Sequence, residues 1–396
     1  MVVSMLPLKG ATVVALEQAV AAPFATRQLA DLGARVIKIE RPGTGDFARG
    51  YDTTVRGLSS HFVWLNRSKE SLTLDLKQTE GRDVLRRLLE TSDVFIHNLV
   101  PGAVDRLGFD TATLKVAYPR LIVCQVTGYG TNGPYRDRKA YDLLVQSEAG
   151  VLSITGTRET PSKAGISVAD IAAGMYAYSG VLTALLARTM TGRGTSLEVS
   201  LFDALAEWMG FPLYYATYGG TEPPRAGASH AAIAPYGPYP TGDGKKVYLA
   251  IQNEREWSRF CTGVLDAPEL SADVRFRTNT SRVANRADLD EILTARFEGL
   301  SSDTLIALLD RAGIANARMN TVHELAEHPQ LVDRGRWQMV GSPVGPIQAL
   351  LPPVVMEDVG PAMNPIPAVG EHTDRILLEL GISSDTIAAW HRAGIV

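Results

Sequence analysis

The sequence has few cysteines, no basic segment and no features of a signal peptide. Only two cysteines, Cys124 and Cys261, occur among 396 residues, and they lie far apart in apolar surroundings. This usage favours buried thiols in a reducing compartment. The 39 Lys and Arg residues do not exceed the 43 Asp and Glu residues and form no basic block, which argues against nucleic-acid binding. Residues 1–8 lack the features of a signal peptide, so we expect a cytoplasmic protein.

Several cofactor and nucleophile signatures are also missing. The turn after the first predicted strand, residues 17–23, contains no glycine, so the G-x-G-x-x-G signature of dinucleotide-binding folds is absent. Neither a P-loop nor a G-x-S-x-G nucleophile elbow occurs. Of the seven histidines, only His323 and His328 are near one another, and their spacing does not place them on one helix face. We therefore expect neither NAD, nor serine hydrolase chemistry, nor a metal site.

Strand and helix patterns alternate over the first part of the chain. Short apolar runs at 12–16, 35–40, 93–96 and 121–126 predict strands, with helical spacing between them, for example at 82–89. Strands that are separated by helices pair in parallel. The pattern predicts an α/β fold with a doubly wound, Rossmann-like sheet.

The pattern changes after residue 215. Residues 214–240 are rich in Gly, Pro and Tyr, and Asp243-Gly244 lies between two β-compatible segments, which predicts a hairpin. Helical patterns follow near Trp257, at 288–297 and at 303–309. We expect a large Rossmann-like α/β domain over 1–215, a smaller α+β domain over 216–334, and a return segment, 335–396, that completes the large domain.

One carboxylate, Asp170, stands where a loop of small residues meets a long apolar helix. The next 17 residues, Ile171 to Ala187, carry no charge. This run is at the lower limit for a membrane span, and a helix buried between protein layers fits its Gly, Ser, Thr and Tyr content better. An aspartate at this place either caps the helix or acts as a nucleophile. The window alone leaves both alternatives open.

Three cations follow predicted strands at the positions where open α/β sheets bind ligands. Arg41 follows the second strand, Arg106 lies in a short helix after the strand at 93–96, and Lys139 follows the loop after the strand at 121–126. Three cations at one sheet edge would suit a polyphosphate. Each of them alone is also explained as an ordinary exposed charge.

An ordered series of motifs runs along nearly the whole chain. Its members are Ala21-Ala22-Pro23, the segments 32–46, 66–77, 98–108 and 127–134, Thr191-Gly192-x-Gly194, and Gly370-Glu371-His372-Thr373. The series resembles the family III CoA-transferases, which include formyl-CoA transferases, carnitine CoA-transferases and α-methylacyl-CoA racemases. The pattern Gly227-x-x-His230-x-x-Ile233-x-Pro235-Tyr236 resembles the branch that moves CoA from succinyl-CoA to dicarboxylic acids.

The resemblance implies a role for Asp170. In this family, the carboxylate before the long apolar helix attacks the acyl-CoA thioester, and an aspartyl anhydride and an aspartyl-CoA thioester follow. It also implies that the CoA thioester is a substrate, with no tightly bound cofactor, and that two chains form an interlocked homodimer. Contacts with CoA are implied for Arg41, Leu74, Asn98, Ala103, Arg106 and Lys139, and positions near the thioester for Val20 and Tyr141.

Departures from the family pattern narrow the substrate. Formyl-CoA transferases have glutamine at the position of Val20, so formate and oxalate are disfavoured. Racemases have a His-Asp pair where this chain has Tyr141-Asp142, and a phenol, which ordinarily titrates near ~10, does not replace that histidine. We expect a transferase in which Asp142 contacts the substrate and Arg225 and His230 bind a distal carboxylate, although linker polarity also explains the last two. A 2-methylacyl-CoA racemase and an inactive CoA-binding relative remain as alternatives.

Overall fold

The computed structural model describes residues 5–396. Its strands are β1 (Thr12–Leu16), β2 (Arg35–Glu40), β3 (Lys69–Thr73), β4 (Val94–His97), β5 (Ile122–Thr127), β6 (Ser196–Ser200), β7 (Tyr236–Pro240), β8 (Lys246–Ala250), β9 (Ala315–Arg318), β10 (Trp337–Val340) and β11 (Ile347–Leu350).

Its helices, also numbered along the chain, are α1 (Ala21–Asp31), α2 (Ser60–Leu65), α3 (Thr79–Glu90), α4 (Ala103–Arg106), α5 (Thr111–Ala117), α6 (Asp142–Glu148), α7 (Val151–Ile154), α8 (Val168–Thr191), α9 (Leu201–Trp208), α10 (Gly210–Gly219), α11 (Glu254–Phe260), α12 (Asn279–Ala284), α13 (Arg286–Phe297), α14 (Ser302–Ala312), α15 (Val322–Ala326), α16 (Pro329–Val332), α17 (Thr373–Glu379) and α18 (Ser384–Ala393). Short 3-10 or π-helical turns cover Phe47–Gly50, Cys261–Leu265 and Pro268–Ser271.

The described chain divides into two compact units. The first contains residues 5–150, 164–210 and 331–396, and the second contains 151–163 and 211–330. The segment 151–163 differs from the division expected from the sequence, because it is hydrogen-bonded to later residues. Gly227 donates its N–H to the carbonyl of Gly156, and Arg225 binds the carbonyls of Thr157 and Arg158. The first four residues of the expected large domain lie outside the described residues.

The first unit is built on a six-stranded sheet in the order β3-β2-β1-β4-β5-β6, in which all neighbouring strands pair in parallel. This confirms the predicted parallel α/β sheet. The order reverses between β1 and β4, and ligands of such sheets bind outside the carboxyl ends of the strands near this point. The central strands carry apolar residues on both faces because helices cover both sides, as Val13, Val14, Val36 and Ile37 show by their burial.

Helix α8 is long and apolar enough to cross a membrane by length and composition alone. In the structure, one face of it packs against α1, α6, α9, β5 and β6. That face is lined with small residues, among them the buried Ala169, Ala172, Ala173 and Ala177. Short side chains let two helices approach closely, so the composition of α8 serves packing within the first unit.

The second unit has its own sheet and core. Strands β7, β8 and β9 form an antiparallel sheet, and the turn between β7 and β8 contains the predicted Asp243-Gly244 pair, with Gly244 at φ +76°. Helices α11, α13 and α14 bury aromatic and aliphatic side chains against this sheet, including Trp257, Phe260 and Phe297. The hairpin that the sequence predicts is therefore present, and an independent apolar cluster holds this unit together.

Candidate active site

Asp170 lies in the first turn of α8, at the third helical position, and it does not cap this helix. Ser167, the residue before the helix, makes no side-chain cap either. The N–H groups of Ala169 and Asp170 instead donate to Oδ1 of Asp142, at 2.8 and 3.3 Å. Because Asp142 caps α8 from the start of α6, the carboxylate of Asp170 is not used for capping.

The surroundings of the Asp170 carboxyl favour its protonated form. Burial raises its pKa, and the negative charge of Asp142 raises it further, to about 7. No cation in the described part of the chain opposes these two effects. A carboxylate that is poorly solvated and unpaired near neutral pH has the properties of an activated nucleophile.

Asp142 holds the start of α8 through its carboxylate. Its Oδ1 accepts the two N–H groups of α8, and its Oδ2 accepts a hydrogen bond from Nε2 of Gln146 at 2.6 Å. Gln146 in turn accepts the N–H of Ala164 through Oε1 at 2.9 Å. Both oxygens of Asp142 therefore help to hold the loop and helix that carry Asp170, and its contact with the substrate stays a prediction.

Helices α1 and α8 approach one another closely one turn beyond Asp170. A Cβ atom added to Gly174 would lie 2.7 Å from the carbonyl oxygen of Ala21, too close for any side chain. Residues four apart share one face of a helix, so Asp170 projects from the same face as Gly174. The N-terminus of α1 therefore lies near Asp170, and no side chain caps it.

A cavity of about 760 Å³ opens at the carboxyl ends of β1, β2 and β3, a volume typical of ligand sites. Arg41, Lys77 and Arg106 line it, and none of these exposed cations forms an ion pair with another residue of the described chain. Unpaired cations at one opening favour a phosphate-bearing ligand.

The structure places four of the predicted CoA contacts at this cavity: Arg41, Leu74, Ala103 and Arg106. The other predicted positions do not line it. The side chain of Val20 is buried, Tyr141 precedes α6 and is 65% exposed, and Lys139 is exposed in the loop before it. Asn98 lies beside the cavity and bonds to the backbone of Gln18, which does line it.

Beneath the cavity lies a network of buried charges. Lys69 donates to Oε1 of Glu17 at 2.7 Å, and Lys38 lies between Glu17, at 3.4 Å, and Oδ2 of Asp46, at 2.8 Å. Although burial opposes it, the two lysines lower the pKa of Glu17. Glu40 is held in the same way by Arg49, at 2.7 Å, and its pKa is lowered to about 2 despite its burial. Every charge of this network therefore has an opposite charge beside it.

Two residues near the site were missed by sequence reasoning. Lys77 lies four residues after the end of β3, a polar strand that the sequence did not reveal, and so it was not recognised as a cation near a strand end. The other is Tyr51. Burial, followed by the carboxylates of Asp46 and Asp170 and the phenol of Tyr141, raises the pKa of Tyr51 to about 12. The Tyr51 hydroxyl thus lies within electrostatic reach of the Asp170 carboxylate.

Arg225 and His230 belong to the second unit. The guanidinium of Arg225 donates to the carbonyls of Ser153, Thr157 and Arg158, at 3.3, 2.9 and 2.8 Å. These bonds clamp the segment 151–163, and the contact of Arg225 with a distal carboxylate stays a prediction. His230 accepts the N–H of Ala232 at Nδ1, and its ring stacks on Tyr236 with 5.2 Å between centroids.

Within residues 5–396, no cluster of three or more His, Cys, Asp or Glu side chains is arranged to hold a metal ion. Both cysteines are buried and free. What the site does offer is a cavity lined with unpaired cations and a carboxylate of raised pKa on a neighbouring helix. These features describe an α/β protein with a cavity whose lining suits a phosphate-bearing ligand.

Comparisons with known proteins agree with this description. Residues 8–373 match the family described as CoA-transferase family III. The succinyl-CoA:glutarate CoA-transferase of Mus musculus is 33% identical over 381 residues, which cover 95% of this chain and 87% of that protein. The succinate–glutarate CoA-transferase of Agrobacterium fabrum is also 33% identical, with 94% of this chain and 96% of that protein covered.

A solved structure shows the same fold. The crystal structure of a CAIB/BAIF family protein from Brucella suis superimposes with a TM-score of 0.83 at 34% identity, covering 95% of this chain and 100% of that one. This chain belongs to family III of the CoA-transferases, and it is an enzyme.

Proposed function

We propose that this enzyme transfers CoA from an acyl-CoA, with succinyl-CoA as the donor, to a short-chain dicarboxylic acid. The observation that carries the proposal is the Asp170 carboxylate, which has a raised pKa, no cationic partner in the described chain and no capping duty. The relatives named above act on succinyl-CoA and glutarate by their names, which supports acids of this class as substrates.

The proposed chemistry runs through covalent intermediates on Asp170. One carboxylate oxygen of Asp170 attacks the thioester carbonyl of succinyl-CoA. The carbon–sulfur bond then breaks, the CoA thiolate departs, and an aspartyl-succinyl anhydride remains on the enzyme. The thiolate then attacks the aspartyl carbonyl, which releases succinate and leaves an aspartyl-CoA thioester. The acceptor carboxylate attacks this thioester, and the thiolate attacks the acceptor side of the new anhydride. The product acyl-CoA and the free Asp170 carboxylate result.

Each step passes through a tetrahedral intermediate with a negative oxygen, which needs nearby hydrogen-bond donors. The uncapped N-terminus of α1 supports such a role, because the first N–H groups of a helix have no partners within it and carry its positive dipole end. These N–H groups lie next to the close contact between Ala21 and Gly174, and in this proposal they donate hydrogen bonds to the negative oxygen of the intermediate.

CoA itself enters as a substrate in this proposal, with no tightly bound cofactor. Arg41, Lys77 and Arg106 hold its phosphates at the mouth of the cavity, and the apolar Leu74 and Ala103 lie along the remainder. Contacts with phosphates far from the thioester are shared by the ground and transition states, so they govern KM more than kcat. Lys139 remains a candidate phosphate contact from its exposed loop.

We also propose that two chains form an interlocked homodimer in the cytoplasm. Large apolar side chains are left exposed on each unit, for example Leu186 (66%) and Met190 (78%) on α8 and Tyr214 (66%) and Tyr218 (81%) on α10. A second copy covering such residues supports a stable dimer. The two buried thiols support a reducing compartment. A folded monomer on sedimentation at dilute concentration would refute the dimer.

The test of the function is covalent labelling with succinyl-CoA that carries 14C in its CoA moiety, which stays on the enzyme as the aspartyl-CoA thioester when no acceptor acid is present. Wild-type protein is expected to acquire label, and Asp170→Asn to acquire none and to lose transfer to glutarate by roughly 10³-fold or more. Asp203→Asn is the matched control, because Asp203 occupies the same third position of α9 and is exposed. It should retain labelling and activity.

Further measurements distinguish this proposal from the racemase and from the inactive relative. Deuterium uptake at the α-carbon of a 2-methylacyl-CoA in D2O, without CoA transfer, would replace this proposal with a racemase. Binding of CoA without any label would indicate an inactive relative. A panel of glutarate, itaconate, mesaconate, citramalate and malate, analysed by mass spectrometry of the CoA esters, identifies the acceptor.

A further inference from the structure

The connection between β1 and α1 holds one residue in an unfavourable backbone conformation. Ala19 has φ +61°, the left-handed region in which a side chain crowds the backbone and which glycine tolerates best. An alanine stays there only where its surroundings fix it. The residues that fix it are therefore worth identifying, since this turn leads directly into α1.

Two side chains from different loops grip the turn. Asn98, which follows β4, bonds to both sides of Gln18: its Oδ1 accepts the Gln18 N–H at 2.9 Å, and its Nδ2 donates to the Gln18 carbonyl at 2.8 Å. Asp46, in the loop after β2, accepts the N–H of Ala19 at 3.1 Å through Oδ1. The turn is thus held from both neighbours of β1 in the sheet.

The side chain of Asp46 is itself held in place by several hydrogen bonds. Its Oδ2 accepts from Lys38 at 2.8 Å, its Oδ1 also accepts the N–H of Ala48 at 2.9 Å, and its own N–H donates to Glu40 at 2.8 Å. Asp46 is only 1% exposed. Asn98 has fewer supports, so it is the member of the pair that can be changed without exposing a buried charge.

The turn lies between the cavity and the nucleophile. Gln18 and Asp46 line the cavity. Two residues further on, the carbonyl of Ala21 meets Gly174 of α8, one helical turn from Asp170 on the same face. A change in the turn therefore moves the start of α1 relative to Asp170, and displacements of about an ångström are enough to lower a reaction rate by ~10²-fold.

We propose that Asn98 is a positioning residue, which together with Asp46 keeps the turn at Gln18 and Ala19 aligned with Asp170. The inference rests on the proposed transfer reaction. It goes beyond the CoA contact that the family resemblance implied, because Oδ1 and Nδ2 of Asn98 both bond to the backbone of Gln18.

The test compares Asn98→Ala, Ala19→Gly and the double variant in steady-state CoA transfer. Asn98→Ala should lower kcat by roughly 10- to 100-fold and change KM for succinyl-CoA by less than about threefold. Ala19→Gly alone should stay within about threefold of wild type. In the double variant, glycine relieves the left-handed strain, so kcat should recover about fivefold relative to Asn98→Ala. Arg106→Ala is the contrast: its raised KM should not respond to Ala19→Gly.

Two outcomes would overturn the inference: a raised KM with unchanged kcat in Asn98→Ala, or no recovery of kcat in the double variant. If wild-type protein transfers no CoA, the proposed function is wrong, and the role of Asn98 is then decided by unfolding. The double variant must unfold at a higher temperature than Asn98→Ala; an equal or lower midpoint would refute a role of Asn98 in holding Ala19.

Discussion

The first unit contains two groups of carboxylates with opposite electrostatic surroundings. In the buried network, Glu17 and Glu40 are closed off from solvent, yet adjacent cations lower their pKa values in spite of burial. At the start of α8, burial and the negative charge of Asp142 raise the pKa of Asp170 to about 7. Burial acts in the same direction in both places, so the neighbouring charge decides the difference.

The contrast separates a structural arrangement from a reactive one. The network joins the ends of β1, β2 and β3 and fixes the loops around the cavity. The Asp170 site leaves a carboxylate without compensation, which lowers the stability of the fold and makes the group reactive. Variants that alter charge at each place should therefore change stability in opposite directions.

The largest effect is expected from Glu17→Gln. It leaves Lys69 and Lys38 facing one another with less compensation in a closed interior, and breaking a buried ion pair from one side typically costs about 3 kcal/mol or more. Urea unfolding at pH 7.5 measures the loss. The double variant Glu17→Gln/Lys69→Met removes one charge of each sign and should recover part of it. If Glu17→Gln were as stable as wild type, the buried network would not contribute to the stability of the first unit.

Asp170→Asn should have the opposite effect and raise the free energy of unfolding. The folded-state pKa of about 7 lies above that of an unfolded aspartate, near ~3.9, so the contribution of Asp170 to stability falls as pH rises between about 4 and 7. Allowing for partial solvent access, we expect the variant to be more stable than wild type by about 1–2 kcal/mol at pH 8. The difference should vanish below pH 4. A variant less stable than wild type at pH 8 would contradict this.

A smaller effect is expected on the pH dependence of the reaction. Attack requires ionised Asp170, so the rate of label incorporation should rise with pH to a midpoint near 7. Asp142→Asn keeps an oxygen for the N–H of Ala169 but removes the negative charge, so the midpoint should fall by roughly half a unit to one unit. Rapid-quench labelling between pH 5.5 and 9 measures it. An unmoved midpoint would mean that burial alone sets the pKa of Asp170.

The smallest effect is expected at an exposed ion pair. Asp83 and Arg86 lie three residues apart on α3 with both side chains about half exposed. Asp83→Asn should change the free energy of unfolding by less than about 0.5 kcal/mol. Comparison of its free energy of unfolding with that of Glu17→Gln shows whether the loss of stability in Glu17→Gln comes from the burial of the charges or only from the removal of one charge.

Much of the first unit was predictable because its strands are buried on both faces and therefore read as continuous apolar runs. Strands β1 and β2 lie at the predicted residues, and β4 and β5 lie within one residue of them. Strand β3 was missed, because Lys69 and Ser71 serve the buried network and leave it without an apolar run. Because β3 lies at the edge of the sheet and carries polar residues, it is recognisable only once its hydrogen-bond partners are known.

The candidate site was predictable in part for a similar reason. Cations that follow strands, such as Arg41 and Arg106, can be placed from topology. The capping of α8 by Asp142 and the clamp formed by Arg225 could not be placed, because both depend on hydrogen bonds across long sequence separations. Spacing in the sequence shows which side chains are available for chemistry, and tertiary contacts decide which of them are already occupied.

The contact at Gly174 has a consequence for how this enzyme can be varied. Any β-carbon there meets a main-chain oxygen, and a main-chain atom cannot move aside as a flexible side chain can. In a library randomised at this position and selected for CoA transfer, glycine should be the only residue recovered. Neighbouring exposed positions such as Met175 and Tyr176 should accept many residues. A search for new acceptor acids would therefore do best to leave the α1–α8 contact fixed and to diversify other surfaces.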